Sequence, residues 1–366
     1  MPELPEVETF RRMLATLEGS PLTSASAPSP TPPKKFLSPS ELSSLPGQTV
    51  LRAERKGKLV RLVLSGGSFL YIHQMMTGRV STPSRVVALE SLSSGEYPPP
   101  HTHLVLKTAT AECAWSDSRR FGQCFLAPGG DGGGGGPWDA LAPDALELGR
   151  PAVLERAAAA LAGQAKGAKE LLLDQKRVCA GVGNWIADEI MYRCEMHPDQ
   201  NHLTREEATT LLLAARDICA TAIRCNEEKA SGPDSEMNAF PPGWLFHYRW
   251  VKQAKGCKDA EGRTITFVQS GGRTSAVVAA IQKKQGRSRQ AKEKGNEEKP
   301  AKKAKPAKKA KPAKKAKPAK KAKPAKKEVA AKKEVAAKKE KPAKKEKAAP
   351  KEGKILAKRR SARAKQ

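Results

Sequence analysis

From Gly286 onward the composition collapses to Lys, Ala, Pro and Glu, so any fold must be built from the residues before it. The hexapeptide KPAKKA repeats through this stretch. Proline at every sixth residue breaks helices, and too few large apolar side chains remain for a core. Residues 286–366 are therefore expected to form a disordered basic tail. The tail also accounts for the charge. It holds 34 Lys+Arg and 8 Asp+Glu, a net of +26 out of +29, which leaves +3 for the first 285 residues. Such a cationic tail attracts polyanions: nucleic acid, or less specifically an anionic membrane surface.

The rest of the chain is long enough for two domains with their own cores. Its seven cysteines (Cys113, Cys124, Cys179, Cys194, Cys219, Cys225 and Cys257) are odd in number and form no C-x-x-C pair. That argues against a disulfide framework or a cysteine zinc site, and for a reducing compartment. No apolar run approaches the length of a membrane span, so no membrane partner is expected. The acidic start MPELPEVE lacks the basic and apolar regions of a signal peptide.

Periodicity divides these residues into two kinds of structure. Val7, Phe10, Leu14 and Leu17 recur at helical spacing, which predicts a helix over 3–18. Ser20–Pro33 is rich in Ser, Pro and Thr and reads as a loop. Short segments follow at Thr49–Glu54, Leu59–Leu64, Phe69–His73, His103–Lys107 and Cys124–Leu126, a spacing that predicts a β-sandwich. Pro128–Pro137 is almost pure glycine and reads as a flexible link. Helices are then expected at Ala152–Leu161, Lys169–Gln175, Trp185–Cys194 and Arg205–Ile223, the last with a Thr204/Glu207 capping box. Asn226–Gly243 is polar. Strands at Thr264–Val268 and Ser275–Ala279 flank Gln269–Thr274 as a hairpin. The fold class is α+β, with domains at 1–128, 138–228 and 229–285, a linker at 129–137 and the tail at 286–366.

Chemistry is most legible at the N-terminus. Removal of Met1 would leave Pro2 with a free secondary amine. That amine can attack the C1′ of a damaged nucleotide and form an iminium ion, as lysines do in Schiff-base enzymes. The iminium is an electron sink that lets the 3′ and then the 5′ phosphate leave. Glu3 lies beside the amine, and Glu6 sits one turn later on the same helix face. Two carboxylates at one site push their pKa values apart, which suits separate acid and base roles. The same Pro and Glu pattern also suits an ordinary first helical turn.

The full string MPELPEVETFRR resembles the start of formamidopyrimidine-DNA glycosylases. LLLDQKRVCAGVGNWIADEIMYRCEMHPDQ resembles that family's helix–two-turn–helix, and SGGRTSAVV the finger of its zinc-less, plant-type branch. The motifs occur in family order, and the resemblance covers about residues 1–285. It implies an N-terminal β-sandwich with a leading helix, a helical domain and a zinc-less β-hairpin finger. It also implies a nucleophile at Pro2, an acid at Glu3 and a supporting acid at Glu6. Lys58, in ERKGKLV, and Arg273, at the hairpin turn, would complete the catalytic set on the phosphates of the target nucleotide. Bidentate arginine suits that role, and Gly271-Gly272 let the turn approach the strand. His73, His103, Asn184 and His247 would contact the DNA backbone, Asn184 from the end of the tight Gly181-Val182-Gly183 turn, where a helix N-terminus offers free N–H groups. Asn184 also reads as a simple N-cap. Met76, Arg119 and Phe121 would fill the gap left by an extruded base, two side chains wedging the stack and the arginine bonding the orphan base.

The implied function is a bifunctional glycosylase and abasic-site lyase of base excision repair. It would act on oxidised purines: formamidopyrimidines, with 8-oxoguanine as a further candidate. Two alternatives remain: an endonuclease VIII-like preference for oxidised pyrimidines, and a non-catalytic chromatin or DNA-binding protein. The intact Pro2/Glu3 start favours the enzyme, because a passive binder does not need it. The expected partner is damaged double-stranded DNA, with the protein a monomer. No metal or other cofactor is expected, since the four finger cysteines of the bacterial pattern are missing and Cys257 is alone. Basic clusters such as Lys358–Arg363 point to the nucleus.

Overall fold

Helix α1 (Leu4–Ala15) links two separate hydrophobic cores. Leu4 is buried in the core of the C-terminal helices, while Val7, Phe10, Met13 and Leu14 are buried in the core of the sandwich. Each fully buried side chain of this size contributes roughly 1.5–3 kcal/mol. The apolar repeat thus fixes the helix between the two domains and holds residues 2–6 at their junction. The computed structural model describes residues 2–86, 96–129, 136–228, 237–250 and 256–286, all within the compact unit Met1–Lys299. The tail, the centre of the glycine link (130–135) and residues 229–236 of the polar stretch lie outside the described residues.

The sandwich consists of two four-stranded antiparallel sheets. One has the order β2 (Val50–Lys56), β3 (Leu59–Leu64), β4 (Ser68–His73), β8 (Gln123–Pro128). The other has the order β1 (Ser24–Ser26), β6 (Thr102–Lys107), β7 (Glu112–Ser116), β5 (Arg79–Ser81). Three of these strands depart from the expectation. β1 lies inside the expected loop. Its sequence is Ser-Ala-Ser, and it exists because Ser24, Ala25 and Ser26 pair with Lys107, Leu106 and Val105. β5 and β7 are likewise defined by their neighbours. Strands this short carry little period of their own, and pairing decides them.

After a short α2 (Pro39–Ser43) in the first domain, the helical domain contains α3 (Pro151–Leu161), α4 (Ala168–Leu173), α5 (Asn184–Arg193) and α6 (Arg205–Glu228) around one apolar cluster. A small satellite cluster of Tyr192, Leu245, Ile265, Ala276 and Val278 joins it to the hairpin of β9 (Thr266–Ser270) and β10 (Arg273–Val277). The hairpin turn is tighter than expected. It comprises only Gly271 and Gly272, both at positive φ (56° and 70°), while Arg273 pairs with Ser270. A two-residue turn with both φ positive matches the twist of the flanking strands, and glycine adopts it at least cost. No helix among the described residues is long and apolar enough to cross a membrane.

Candidate active site

Pro2 and Glu3 are buried at the junction of the two domains. The Glu3 carboxylate accepts N–H bonds from Trp185 (2.9 Å) and Ile186 (3.1 Å) at the start of α5. Backbone N–H groups and the helix dipole make that end a natural anion site. The Gly181-Val182-Gly183 turn makes the approach possible. A Cβ on Gly183 would lie 2.1 Å from the Glu3 carboxyl carbon, and one on Gly181 would lie 2.3 Å from a Leu4 methyl. Two expectations change here. Gly183, not Asn184, is the N-cap of α5, and two of the N–H groups expected to face phosphate are already taken by Glu3. The glycines make room for α1 instead.

The Glu6 carboxylate accepts the Glu3 N–H at 3.0 Å. Burial, and then the neighbouring Glu3 charge, push the Glu6 carboxyl up from 4.5 to about 7. Its titration therefore lies close to neutrality, the range that suits a group relaying protons. Lys58 is the second residue of the two-residue β2–β3 turn. Burial pulls its ammonium down, the charges of Glu3 and Glu6 pull it back up, and Arg273 opposes them. The acid pair and the two cations therefore share one electrostatic environment.

Lys58, His73, Asn184 and Arg273 all line a cavity of about 440 Å³, together with Gly271 and residues of the helical domain such as Lys166, Glu170, Asp174, Gln175 and Arg177. Burial, then the charges of Lys58 and Lys35, hold the His73 imidazole down at about 4, so it is neutral at pH 7. Its Nδ1 accepts the Met75 N–H at 3.1 Å, which leaves Nε2 as the donor nitrogen. Asn184 donates Nδ2–H to the Thr274 carbonyl at 3.1 Å and so joins α5 to the hairpin beside Arg273. Arg273 is exposed to solvent.

Met76, Arg119 and Phe121 stand on two loops at one end of the sandwich. Phe121 is 50 % exposed, and the Arg119 guanidinium lies 4.7 Å from the centre of its ring. Two expected DNA contacts are placed elsewhere. His103 is only 1 % exposed, packs against Trp115 and bonds the Asp117 carbonyl at 2.9 Å, so it is a core histidine out of reach of a phosphate. In the His101-Thr102-His103 string it is His101 that faces solvent. His247 is exposed, but its Nε2 bonds the Phe240 carbonyl at 3.0 Å among aromatic neighbours, and it does not line the cavity.

Comparison with known proteins decides what this arrangement belongs to. The model of the formamidopyrimidine-DNA glycosylase N-terminal domain matches residues 1–124, and that of its H2TH domain matches residues 141–233. The formamidopyrimidine-DNA glycosylase of Arabidopsis thaliana is 32 % identical over 312 residues, covering 83 % of this chain and 75 % of the relative. The chain belongs to the formamidopyrimidine-DNA glycosylase family. Membership makes it a DNA glycosylase of base excision repair. Among solved structures, the MutM (Fpg) protein of Thermus thermophilus is similar with a TM-score of 0.58 and 28 % identity, over 78 % of this chain and all of that one. The Lactococcus lactis enzyme bound to DNA containing an abasic site has the same fold at 22 % identity and a TM-score of 0.57.

Sequence reasoning missed the residues that hold this glycosylase together at its joints. Arg55 bonds Glu8 of α1 (2.9 Å) and Asp144 of the helical domain (2.5 Å), and the same Asp144 carboxylate accepts the Gly57 N–H (2.6 Å) next to Lys58. Lys169, Asp188 and Arg249 form a buried charged cluster under the hairpin. Such pairs join residues far apart in the chain, so only the fold reveals them. Among the described residues no group of three or more His, Cys, Asp or Glu is placed to hold a metal ion, and the Cys257 thiol donates to the Tyr248 carbonyl at 3.0 Å.

The raised Glu6 pKa makes a stability prediction. A carboxyl with a folded pKa above its unfolded value binds its proton more tightly in the folded state. That contribution is complete below pH 4.5 and is lost as pH rises through about 7. Glu6→Gln has no proton to lose. Its stability relative to wild type should rise between pH 4.5 and 8 by up to about 3 kcal/mol. Urea denaturation at the two pH values measures this, and a pH-independent difference would contradict it.

Proposed function

We propose that this glycosylase excises oxidised purines, formamidopyrimidines foremost, from duplex DNA and then cleaves the strand by β,δ-elimination through Pro2. The observation that carries the proposal is one junction holding a buried Pro2–Glu3–Glu6 start and, in the same field, a cavity lined by Lys58, His73, Asn184 and Arg273.

The chemistry follows from that inventory. The Pro2 nitrogen attacks C1′, the bond from C1′ to the base breaks with its electron pair on the base, and the proton shed by the nitrogen passes to the departing base. The C1′–O4′ bond then opens as the ring oxygen takes a proton from the carboxyl pair, and the nitrogen lone pair closes the C1′=N bond. The resulting iminium acidifies C2′–H, whose removal expels the 3′ phosphate. A second elimination expels the 5′ phosphate, and water releases the sugar from the nitrogen. Lys58 and Arg273 supply positive charge for the phosphates flanking the target, and the His73 Nε2–H and the Asn184 amide supply neutral donors. Borohydride added during reaction with lesion-bearing duplexes should reduce the iminium and fix the DNA to residue 2, located by mapping the trapped peptide. An adduct on an internal lysine would overturn the nucleophile. Faster excision of oxidised pyrimidines than of formamidopyrimidines would overturn the substrate assignment.

The tail serves location and non-specific affinity in this proposal. Its basic clusters direct the protein to the nucleus, and its lysines add salt-sensitive phosphate contacts. Truncation after Gly286 should abolish nuclear accumulation and preserve cleavage at low salt. The slope of log affinity against log salt should fall by about 0.9 for each phosphate contact removed. An unchanged slope would show that the tail makes no such contacts, and unchanged nuclear accumulation that it carries no address.

A further inference from the structure

The two loops that carry Met76, Arg119 and Phe121 are built as a pair. Residues 74–78 cross from β4 in one sheet to β5 in the other, and residues 117–122 cross back from β7 to β8. Both ends are paired: His73 with Gln123, and Arg79 with Ser116. The loops therefore run antiparallel, side by side, over one end of the sandwich. Each contains a non-glycine residue at positive φ, Met75 at 50° and Arg120 at 56°. Backbone held in that region persists only where its surroundings over-determine it.

A single carboxylate ties the loops together. Asp117 is 1 % exposed. Its Oδ1 accepts the Thr77 hydroxyl, next to Met76, and also the Arg119 N–H at 3.2 Å. Its Oδ2 accepts the Gly122 N–H, next to Phe121, at 2.6 Å. Three donors from the immediate neighbourhood of all three side chains converge on one buried side chain. The surroundings leave little slack: a Cβ on Gly122 would lie 2.5 Å from the Trp115 ring, and Trp115 is itself fixed by a 2.8 Å bond from Nε1 to Gln74.

We infer that Asp117 is a positioning residue that sets the relative placement of Met76, Arg119 and Phe121, and through them the enzyme's preference for the base opposite the lesion. The inference rests on the reading of those three as the groups that fill the gap left by the extruded nucleotide. Asp117 touches no DNA in this scheme. It fixes where the Arg119 donors meet the orphan base relative to the two apolar wedges, and discrimination between bases depends on that geometry.

The test is the ratio of kcat/KM for one lesion placed opposite cytosine and opposite adenine. Asp117→Ala should move that ratio toward unity by about tenfold, the scale of one well-placed base contact. Thr77→Val, which removes a single donor and spares the carboxylate, should move it in the same direction by less. The double variant should be no worse than Asp117→Ala alone, because both changes cut one tie. A merely structural role would lower rates opposite all bases in proportion and leave the ratio unchanged; that outcome, or strict additivity of the two changes, overturns the inference. Arg119→Ala separates the two levels. If it leaves the ratio unchanged, the gap-filling reading itself fails. If it collapses the ratio while Asp117→Ala and Thr77→Val do not, only the role of Asp117 fails.

Discussion

Pro2→Gly is expected to slow strand cleavage and borohydride trapping by about 100-fold, and any residue left in front of Pro2 is expected to abolish both. Glycine still offers an amine, but it lacks the ring that fixes the direction of the nitrogen, and a misplacement of about 1 Å costs roughly that factor. An N-terminal extension turns the amine into an amide with no nucleophilic lone pair. Burial of Pro2 and Glu3 makes the argument sharper, because α1 is anchored in both cores and cannot slide to compensate. Glu3→Gln should differ in kind. The new amide would aim N–H at the N–H groups of Trp185 or Ile186 and lose one of two bonds. Base excision should fall by about 10²–10⁴-fold, the usual worth of a positioned acid. Cleavage of a pre-formed abasic site should fall less, since its base has already gone. Single-turnover kinetics on the two substrates measures the split. Equal losses would remove Glu3 from the glycosylase step, and trapping that survives a blocked Pro2 would remove the proline.

Four residues that line the cavity were legible in the sequence, and those that place them were not. Lys58, His73, Asn184 and Arg273 each sit in a short motif, and they converge on one cavity although 215 positions separate the first from the last. Glu3 was legible as a carboxylate beside an amine but not as the group that closes α5, since its partners lie 182 and 183 positions away. His103 shows why local pattern misleads. In a regular strand His101 and His103 would share a face. His101 instead turns at φ 62°, and the β6–β7 register shifts between Thr102 and Leu104, so one histidine faces solvent and the other the core. The leading helix and the long α6 were readable because their apolar period is strong, whereas β1, β5 and β7 are settled by pairing.

Asp188→Ala is expected to destabilise the folded protein by about 3–5 kcal/mol, the cost of leaving buried charge without its counterion. Lys169, with no exposed surface, is 2.5 Å from one oxygen of Asp188, and Arg249 donates to the other at 2.6 and 3.1 Å. Removing the carboxylate leaves two cations facing each other in the interior. It also releases the hairpin, because Asp188 accepts the Ala276 N–H at 3.1 Å, while Lys169 donates to the Ser275 hydroxyl at 2.6 Å. Arg273, two residues before Ser275 on β10, would lose its fixed distance from Lys58, so DNA affinity should fall along with stability. The small satellite core under the hairpin cannot replace this tie: its side chains from β9 and β10 are chiefly Phe267 and Ala276. Replacing all three charged residues by apolar ones of similar volume should recover most of the stability, since buried ion pairs gain little over well-packed hydrophobes. Urea denaturation measures both effects. A loss below about 1 kcal/mol for Asp188→Ala, the scale of an exposed pair, would mean that water reaches the cluster. The same curves taken with a chelator complete the argument. A hairpin held by Asp188 should denature at an unchanged midpoint, whereas a lowered midpoint would mean that a metal ion, not this carboxylate, holds Arg273 in place.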